Sequence, residues 1–322
     1  MLPPHRTLTI IDPTSLLGRE VTDGIVRAFP DVRRRLFHTG ADAEHQVADV
    51  AGEATLVPPL AELDELEDSA AVIVTATPAS GTGERLLAWL RERPSVALLD
   101  CTQPGIAGGE AASVVDAVPS RPRVLPWYHL VDPSLAAPVR WLRALLPLAP
   151  EAFHVTLLCP ASGFGAEALD ELASQGSARL SGRPTRRPVH LPAVLAFDLA
   201  PAAGERFAAL DAQLGEIFPT IERGLQVIDS GVFHGDLATV VLRCAHEVGA
   251  ERARALLRAS PGMRLARRGE TVTASGAVDE DVVICGELRV RGGWVSAWLL
   301  ADGLRVGGAT AVVEVLASLN AT

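Results

Sequence analysis

The sequence predicts an α/β protein of two domains, a doubly wound parallel sheet followed by an α+β domain with a mostly antiparallel sheet. A length of 322 residues suggests two domains, because a domain commonly has about 150 residues. In the first half, apolar strands alternate with helical segments, which is typical of a parallel sheet covered on both faces. In the second half, strands are grouped together and helices stand apart, which indicates a sheet that is open on one face.

The first half opens with a β-turn-α unit. Residues 7–11 are rich in β-branched side chains, residues 12–15 have turn composition, and apolar residues recur at helical spacing over 16–29. The elements predicted after this unit are a buried strand over 71–76, a helix over 83–93 and a strand over 96–99.

The second half begins after Pro150, where the pattern of elements changes. Its predicted strands are 153–159, 225–229, 238–244, 282–291 and 294–300. Its predicted helices are 165–175 and 204–218, with a loop rich in proline and arginine over 182–191 between them. We expect the C-terminal helix, residues 309–319, to return to the first domain.

The composition excludes several classes of function. All 29 basic residues are arginine, so chemistry that needs a lysine, such as Schiff-base formation or a phosphate-loop lysine, is excluded. With 39 acidic residues the net charge is −10, and the arginine clusters at 33–35 and 183–187 are short, so we interpret both as solvated surface and expect no nucleic-acid partner. No apolar run approaches the roughly 18 residues that span a bilayer, and residues 1–6 lack a signal-peptide core, so we expect a cytoplasmic protein without a membrane partner.

Four cysteines are scattered along the chain without a CxxC pair. In a reducing compartment they are expected to be free thiols that act as small buried hydrophobic residues. They are Cys101, Cys159, Cys244 and Cys285.

The loop after the first strand lies where a dinucleotide-binding fold holds its pyrophosphate. Such loops carry three glycines spaced G-x-x-G-x-x-G, but the matching residues here are Asp12, Ser15 and Gly18. Only the third glycine, which packs the helix on the strand, is present. An aspartate would repel a phosphate, and we interpret Asp12 as the N-cap of the helix because Asp is among the best N-cap residues.

Taken together, five segments resemble the aspartate-semialdehyde dehydrogenase family, and within it the Usg-type homologues. The resemblance runs nearly from end to end of the chain. The segments are IDPTSLLGRE (11–20), LLDCT (98–102), VTLLCPASGFG (155–165), GVFHGDLATV (231–240) and ADGLRVGGA (301–309).

The resemblance implies a Rossmann-like domain formed by residues 1–131 and 303–322, and a dimerisation domain formed by residues 132–302. It therefore also implies a homodimer. An active member of the family reduces an acyl phosphate with NADPH through a cysteine thioester. That reaction needs a thiolate at a helix start, a histidine base, a glutamine that orients the acyl group, and arginines for the anions of the substrate.

The resemblance places other residues at these positions. The nucleophile position falls on Tyr128 or on Leu135, depending on the alignment, and neither side chain can form a thioester. The glutamine position is Cys159, the histidine position is Asp236, and the substrate arginine position is Asp229. The asparagine that would face the nicotinamide is Gly303, and the Usg-type homologues also lack the nucleophilic cysteine. The residues that match the cofactor-binding framework are Gly18, Asp100, Asp302 and Arg305.

Two rebuilt sites are alternatives. Cys101 or Cys159 could pair with His129 or His234 as nucleophile and base, although buried cysteines at strand ends are usually inert. His234 with Asp229 and Asp236 offers ligands for a metal, but alternation along a strand would separate Asp229 from the other two, so no metal site is expected.

The sequence therefore predicts a catalytically degenerate member of this family that needs no cofactor. It would act as a homodimeric scaffold or regulatory subunit, with a protein partner. The alternative is an active oxidoreductase that binds NADP or NAD and acts on an aldehyde or acyl group through a rebuilt site.

Overall fold

The structure, a computed structural model, describes residues 7–40, 44–79, 81–115, 119–120, 124–202 and 204–319. The chain divides into two compact units. The first contains the described residues up to Asp132 and those from Gly307 onward, and the second is Pro133–Val306.

Fifteen strands and seven α-helices form the described part of the chain. The strands are β1 (Thr7–Ile11), β2 (Arg33–Phe37), β3 (Gln46–Val50), β4 (Glu53–Val57), β5 (Ser69–Val74), β6 (Ala97–Asp100), β7 (Ala112–Val114), β8 (Trp127–Leu130), β9 (Pro150–Cys159), β10 (Leu199–Pro201), β11 (Glu222–Ser230), β12 (Asp236–Cys244), β13 (Met263–Leu265), β14 (Val283–Arg291) and β15 (Trp294–Ala301). The helices are α1 (Leu16–Ala28), α2 (Thr82–Arg91), α3 (Ala136–Leu145), α4 (Ala166–Leu180), α5 (Glu205–Ile217), α6 (Ala250–Ala259) and α7 (Thr310–Leu319).

The first unit is built on a parallel sheet with the strand order β2-β1-β5-β6-β8-β7. Both faces of this sheet are covered. On one face, strand residues such as Ile10 and Ile73 pack with residues of α1 and α7, and on the other, Val72 and Leu98 pack with α2. Because successive strand residues point to opposite faces, a strand buried on both faces has a continuous apolar sequence, as the segment 71–74 does.

The second unit is built on a mixed sheet with the order β10-β11-β9-β12-β15-β14-β13. The pairs β11–β9 and β13–β14 are parallel and the other neighbours are antiparallel. Burial alternates along β9 and β12: Val155 and Val240 are buried, whereas Thr156 and Val241 on the other face are half-buried. One face therefore faces the core and the other is only partly covered.

The predicted fold class is confirmed: a Rossmann-like parallel sheet is followed by a separate, mostly antiparallel sheet. The interpretation of residues 33–35 as solvated surface is wrong in part. These residues begin β2, an edge strand that pairs with β1, and the half-buried Arg34 and Arg35 donate to the carbonyl oxygens of Phe29 (3.0 Å) and Glu65 (2.6 Å). The sequence does not reveal this edge strand, because three consecutive arginines are typical of solvated surface. In the strand, their long stems cover the sheet while their charged ends reach polar partners.

The expectation about a signal peptide concerns residues 1–6, which lie outside the described residues. Within the described part of the chain, no helix is both long and apolar enough to cross a lipid bilayer.

Candidate functional site

The loop between β1 and α1 is held in place by hydrogen bonds to its own side chains. The N-cap of α1 is Ser15, whose Oγ accepts a hydrogen bond from the Gly18 N–H at 2.9 Å, so the prediction that Asp12 caps the helix is wrong. Asp12 instead accepts hydrogen bonds from the Thr39 N–H (2.7 Å) and the Thr39 hydroxyl (2.8 Å). Its backbone has φ +60°, a left-handed conformation that aspartate tolerates better than most residues. This conformation directs the carboxylate to the end of β2 and away from the helix.

Gly18 lies where no side chain fits. A Cβ at this position would be 2.6 Å from the Asp12 carbonyl oxygen and 2.7 Å from Thr75 Oγ1. The Thr75 hydroxyl is itself held, because it contacts the carbonyl oxygens of Ile11 (2.9 Å) and Asp12 (2.8 Å). The glycine is therefore required by the packing of the loop against the end of β5, whether or not a ligand binds there.

The carboxyl group of Asp12 is partly buried. Burial raises the pKa of this carboxyl, and the two hydrogen bonds from Thr39 and the nearby His38 counteract only part of that shift. A phosphate at the N-terminus of α1 would approach this carboxyl group. It would also find the Gly18 N–H already donating its hydrogen bond to Ser15 Oγ.

Asp100 is the last residue of β6, and Cys101 directly follows it. Asp100 is fully buried and accepts hydrogen bonds from the Thr102 N–H (3.0 Å), the Thr102 hydroxyl (2.7 Å) and the Ala107 N–H (3.3 Å), so it holds the loop after β6. His129 Nε2 lies 3.0 Å from the Thr102 carbonyl oxygen. Burial, and then the charge of Asp100, raise the pKa of the Cys101 thiol well above its usual value, which argues against Cys101 as a nucleophile.

The two candidate nucleophile positions lie in different kinds of structure. Tyr128 is in the middle of β8, paired with Leu99 and Ala112 and buried in the apolar core of the first unit. Leu135 in the second unit is fully buried and directly precedes the first residue of α3.

Asp229 in the second unit is neutralised by an arginine. It pairs in register with Cys159 of the neighbouring strand and forms an ion pair with Arg206 of α5. The Arg206 guanidinium also lies 4.4 Å from the centre of the Phe164 ring. Burial raises the pKa of Asp229, and the charge of Arg206 lowers it.

Arg206 is a partner of Asp229 that the sequence does not reveal. The two residues are 23 positions apart and on different elements, so no spacing pattern links them. A single arginine in the first turn of a helix, where a cation is unfavourable, is the one available signal.

The turn of residues 161–165, at the end of the segment VTLLCPASGFG, is fixed by backbone hydrogen bonds. The Ala161 N–H donates to the Val232 carbonyl (2.8 Å), and the Ser162 N–H donates to the Phe233 carbonyl (3.0 Å). Cys159, just before the turn, is fully buried, and its carbonyl accepts a hydrogen bond from the Ser230 hydroxyl at 2.9 Å.

Asp236 and Gly303 are packed directly against each other. The Gly303 N–H donates to Asp236 Oδ2 at 3.2 Å, and a Cβ at residue 303 would overlap with that oxygen and lie 3.1 Å from the Pro133 carbonyl oxygen. An asparagine at 303 is therefore incompatible with this conformation of Asp236.

Asp302 and Arg305 hold the closing loop to residues 279–281. Asp302 accepts hydrogen bonds from the Asp279 N–H (3.1 Å) and the Arg305 N–H (3.3 Å). The Arg305 guanidinium donates to the Asp279 carbonyl and lies 3.5 Å from the carboxylate of Asp281. Both side chains thus have partners within their own unit.

The three residues considered above as possible metal ligands lie on different elements. Asp229 is the penultimate residue of β11, Asp236 begins β12, and His234 lies in the turn between the two strands. Across the described ranges, no group of three or more His, Cys, Asp or Glu side chains could hold a metal ion.

Comparison with known proteins gives one result in sequence and one in structure. No protein-family profile matches the chain. The chain is 30% identical over 193 residues to a USG-1 protein homolog of Azotobacter vinelandii, which covers 53% of this chain and 56% of that protein. It is also 30% identical over 174 residues to a USG-1 protein homolog of Pseudomonas aeruginosa, covering 48% and 50%. The matched regions thus span about half the length of these curated relatives.

The structural likeness extends over nearly the whole chain. Aspartate semialdehyde dehydrogenase II of Vibrio cholerae, solved in complex with ASA, superposes with a TM-score of 0.86 at 20% identity and 98% coverage of both chains. The aspartate semialdehyde dehydrogenase of Candida albicans, solved with NADP, gives a TM-score of 0.73 at 12% identity, covering 98% and 99%. The resemblance predicted from the sequence is confirmed: about half of the chain is similar to USG-1 protein homologs, and its fold is similar to that of the aspartate-semialdehyde dehydrogenases.

Proposed function

We propose that this protein is a catalytically degenerate relative of the aspartate-semialdehyde dehydrogenases and acts in the cytoplasm as a homodimeric scaffold or regulatory subunit for a protein partner. The observation that carries the proposal is that the residues at the expected catalytic positions are used internally. Asp229 is paired with Arg206, and Asp236 accepts a hydrogen bond from Gly303. Neither group is positioned to act as a substrate clamp or as a general base.

The nucleophile position is best assigned to Leu135. A reactive thiolate in this chemistry needs the N-terminus of a helix, where the helix dipole stabilises the anion. Leu135 directly precedes α3, whereas Tyr128 lies within a strand. The aliphatic side chain of Leu135 can neither attack a carbonyl carbon nor ionise, so a thioester pathway has no first step.

The residues that match the cofactor framework have structural tasks. Gly18 permits the β1–α1 loop to pack, and Asp100 holds the loop after β6. Asp302 and Arg305 fasten the closing loop. Their presence is therefore explained without a bound dinucleotide, and we propose that the protein needs no cofactor.

The homodimer is supported by the partly covered face of the second sheet. Thr156, Thr239 and Trp298 are in register across three adjacent strands on this face, and Val241 follows on β12. These side chains remain partly accessible in a single chain. A second copy would remove this mixed apolar surface from water.

The cofactor assay tests the proposal. The thermal midpoint of the purified protein is measured with NADPH, NADP, NADH and NAD up to about 1 mM, together with calorimetric titration. A ligand at a hundred times its Kd stabilises a protein by about 2.7 kcal/mol, which such a scan detects readily. We expect neither a shift in the midpoint nor saturable heat. Saturable binding would support the alternative, an NAD(P)-dependent oxidoreductase with a rebuilt site.

The dimer is tested separately by light scattering at micromolar concentration. The wild type should have the mass of a dimer, and Val241→Arg should produce monomers because it places a charge in the buried interface. Val47→Arg is the matched control, since Val47 on β3 in the first unit is 62% exposed. A monomeric wild type would contradict the dimer.

A further inference from the structure

A groove in the second unit is lined by charges of both signs. It has a volume of about 860 Å³ and lies between one face of α4 and the loop of residues 183–190. Loop residues Arg183, Arg186 and Arg187 line one wall. Glu167 and Asp170 of α4 line the other.

The two walls are fixed relative to each other by hydrogen bonds. The Glu171 carboxylate accepts hydrogen bonds from the backbone N–H groups of Val189 (2.9 Å), His190 (2.7 Å) and Leu191 (3.0 Å). These bonds hold the end of the loop to the helix. At the other end, the Arg183 N–H donates to the Ala178 carbonyl at 2.9 Å. Two prolines, at 184 and 188, further restrict the segment between these points.

The charges on the walls do not neutralise one another. Arg186, Arg187, Glu167 and Asp170 are exposed, and within the described part of the chain they form no ion pair within 4.0 Å and no side-chain hydrogen bond. The walls are close enough to enclose one groove, yet they hold their opposite charges apart. Such a groove matches a ligand that carries anionic groups on one side and cationic groups on the other.

The size of the groove indicates the kind of ligand. Its helical wall runs from Glu167 to Ala178, which corresponds to about 16 Å at 1.5 Å per residue. An extended peptide rises about 3.3 Å per residue, so about five residues fit along this wall. In an extended chain successive side chains point in opposite directions, so alternating acidic and basic residues place all carboxylates on one side and all cations on the other.

We propose that this groove binds an extended polypeptide segment in which acidic and basic side chains alternate. The acidic side chains contact Arg186 and Arg187, where guanidinium groups can bind carboxylates in bidentate fashion. The basic side chains contact Glu167 and Asp170 on α4. Because the loop is held at both ends before binding, it loses little conformational entropy of its own when the peptide binds.

The probe for the test is a fluorescent, terminally blocked hexapeptide of alternating glutamate and arginine, titrated with the full chain and followed by fluorescence anisotropy. We expect saturable binding that weakens as salt is raised from about 50 to 500 mM, because exposed charges are screened. Hexaglutamate, hexaarginine and a block peptide of three glutamates followed by three arginines should bind at least about tenfold more weakly.

Variants of the walls separate this site from general charge attraction. R186E/R187E should weaken binding of the alternating peptide by about tenfold or more. R252E/R258E is the matched control, because it changes the net charge equally at two exposed arginines of α6, and it should leave binding unchanged. Adding E167R/D170R to R186E/R187E reverses both walls and should restore binding, since an alternating peptide fits in either orientation.

Two outcomes would overturn the proposal. The first is an absence of saturable binding of the alternating peptide up to about 1 mM. The second is equal binding of hexaglutamate or equal loss in the α6 control, which would reveal attraction to arginine alone. Circular dichroism of each variant establishes that it is folded. Peptide binding is independent of the result of the cofactor assay, because the groove lies wholly within the second unit.

Discussion

Gly18 in the first unit and Gly303 in the second are both packed too closely to carry a side chain, but different kinds of atoms crowd them. The nearest neighbours of Gly18 are backbone atoms of Asp12 and Pro13 and a hydroxyl that is itself held by two carbonyls. The nearest neighbour of Gly303 is a side-chain carboxylate, that of Asp236. A contact with backbone cannot be relieved by a second substitution, whereas a contact between side chains can. The loop of the first unit is therefore fixed by contacts with backbone atoms, whereas the polar site of the second unit is fixed by contacts between pairs of side chains.

The largest effect is expected from breaking a side-chain pair in the second unit. Arg206→Met leaves the buried carboxylate of Asp229 without its cation, and such a loss costs about 3 kcal/mol in free energy of unfolding. Burial already holds the pKa of Asp229 above its ordinary 3.8 in the folded state. The destabilisation should therefore be small below about pH 3.8 and grow as the pH rises through the folded pKa. Urea denaturation at several pH values measures it.

The double variant R206M/D229L provides the decisive control for this pair. Replacing both charges by apolar side chains of similar size is often neutral, so the double variant should recover most of the lost stability. If it is as unstable as R206M alone, the charges of this pair are not exchangeable for apolar side chains, and the polar site of the second unit is not fixed by such pairs.

Gly18→Ala in the first unit should cost about 2–3 kcal/mol, because its Cβ would lie within 2.8 Å of three atoms that cannot move independently. Adding Thr75→Ala removes the crowding hydroxyl but should bring no recovery, since the Asp12 carbonyl oxygen still lies 2.6 Å away. Gly83→Ala in α2 is the matched control: its nearest contact would be at 3.7 Å, so we expect a small stabilisation. Thermal denaturation of the three variants measures the difference, and full recovery in the double variant would be inconsistent with a loop fixed by backbone.

Gly303→Ala should cost about 2 kcal/mol, less than Gly18→Ala, because the carboxylate it meets can rotate. Asp236→Ala makes room for the added methyl group but leaves the Gly303 N–H without its acceptor. The two changes should therefore be less destabilising together than the sum of their separate effects, by about 1 kcal/mol in a double-mutant cycle. Additive effects would show that residues 236 and 303 are not coupled.

The sequence predicts the secondary-structure elements more readily than the pairs of interacting side chains. Apolar runs such as 71–74 identify strands covered on both faces, and the alternation in 153–159 identifies a strand with one open face. The partner of Asp229 cannot be found in this way, since Arg206 reaches it only after α5 has packed beside β11. The predicted cap of α1 falls on the wrong residue because Asp12 and Ser15 are both good caps. Only the left-handed backbone at Asp12, which the sequence does not reveal, decides between them.

The smallest effect is expected at Glu171, where a side chain holds a backbone segment and so combines the two kinds of contact. Burial raises the pKa of Glu171, but three backbone N–H donors outweigh it, and the pKa lies below its ordinary 4.5. The stabilisation from this carboxylate should therefore be fully present above about pH 4.5 and lost as the pH falls through the folded pKa.

Glu171→Gln should cost about 1 kcal/mol at neutral pH, since the site is partly exposed to solvent and an amide oxygen still accepts part of the hydrogen bonding. Because the variant cannot ionise, its stability should also depend less on pH below 4.5 than that of the wild type. Amide hydrogen exchange at residues 189–191, compared between the two proteins at pH 7, measures the loss directly. Unchanged protection of these three amides in the variant would mean that the loop is held by the packing of Leu191 and Leu195 against α4, and that the carboxylate adds nothing to it.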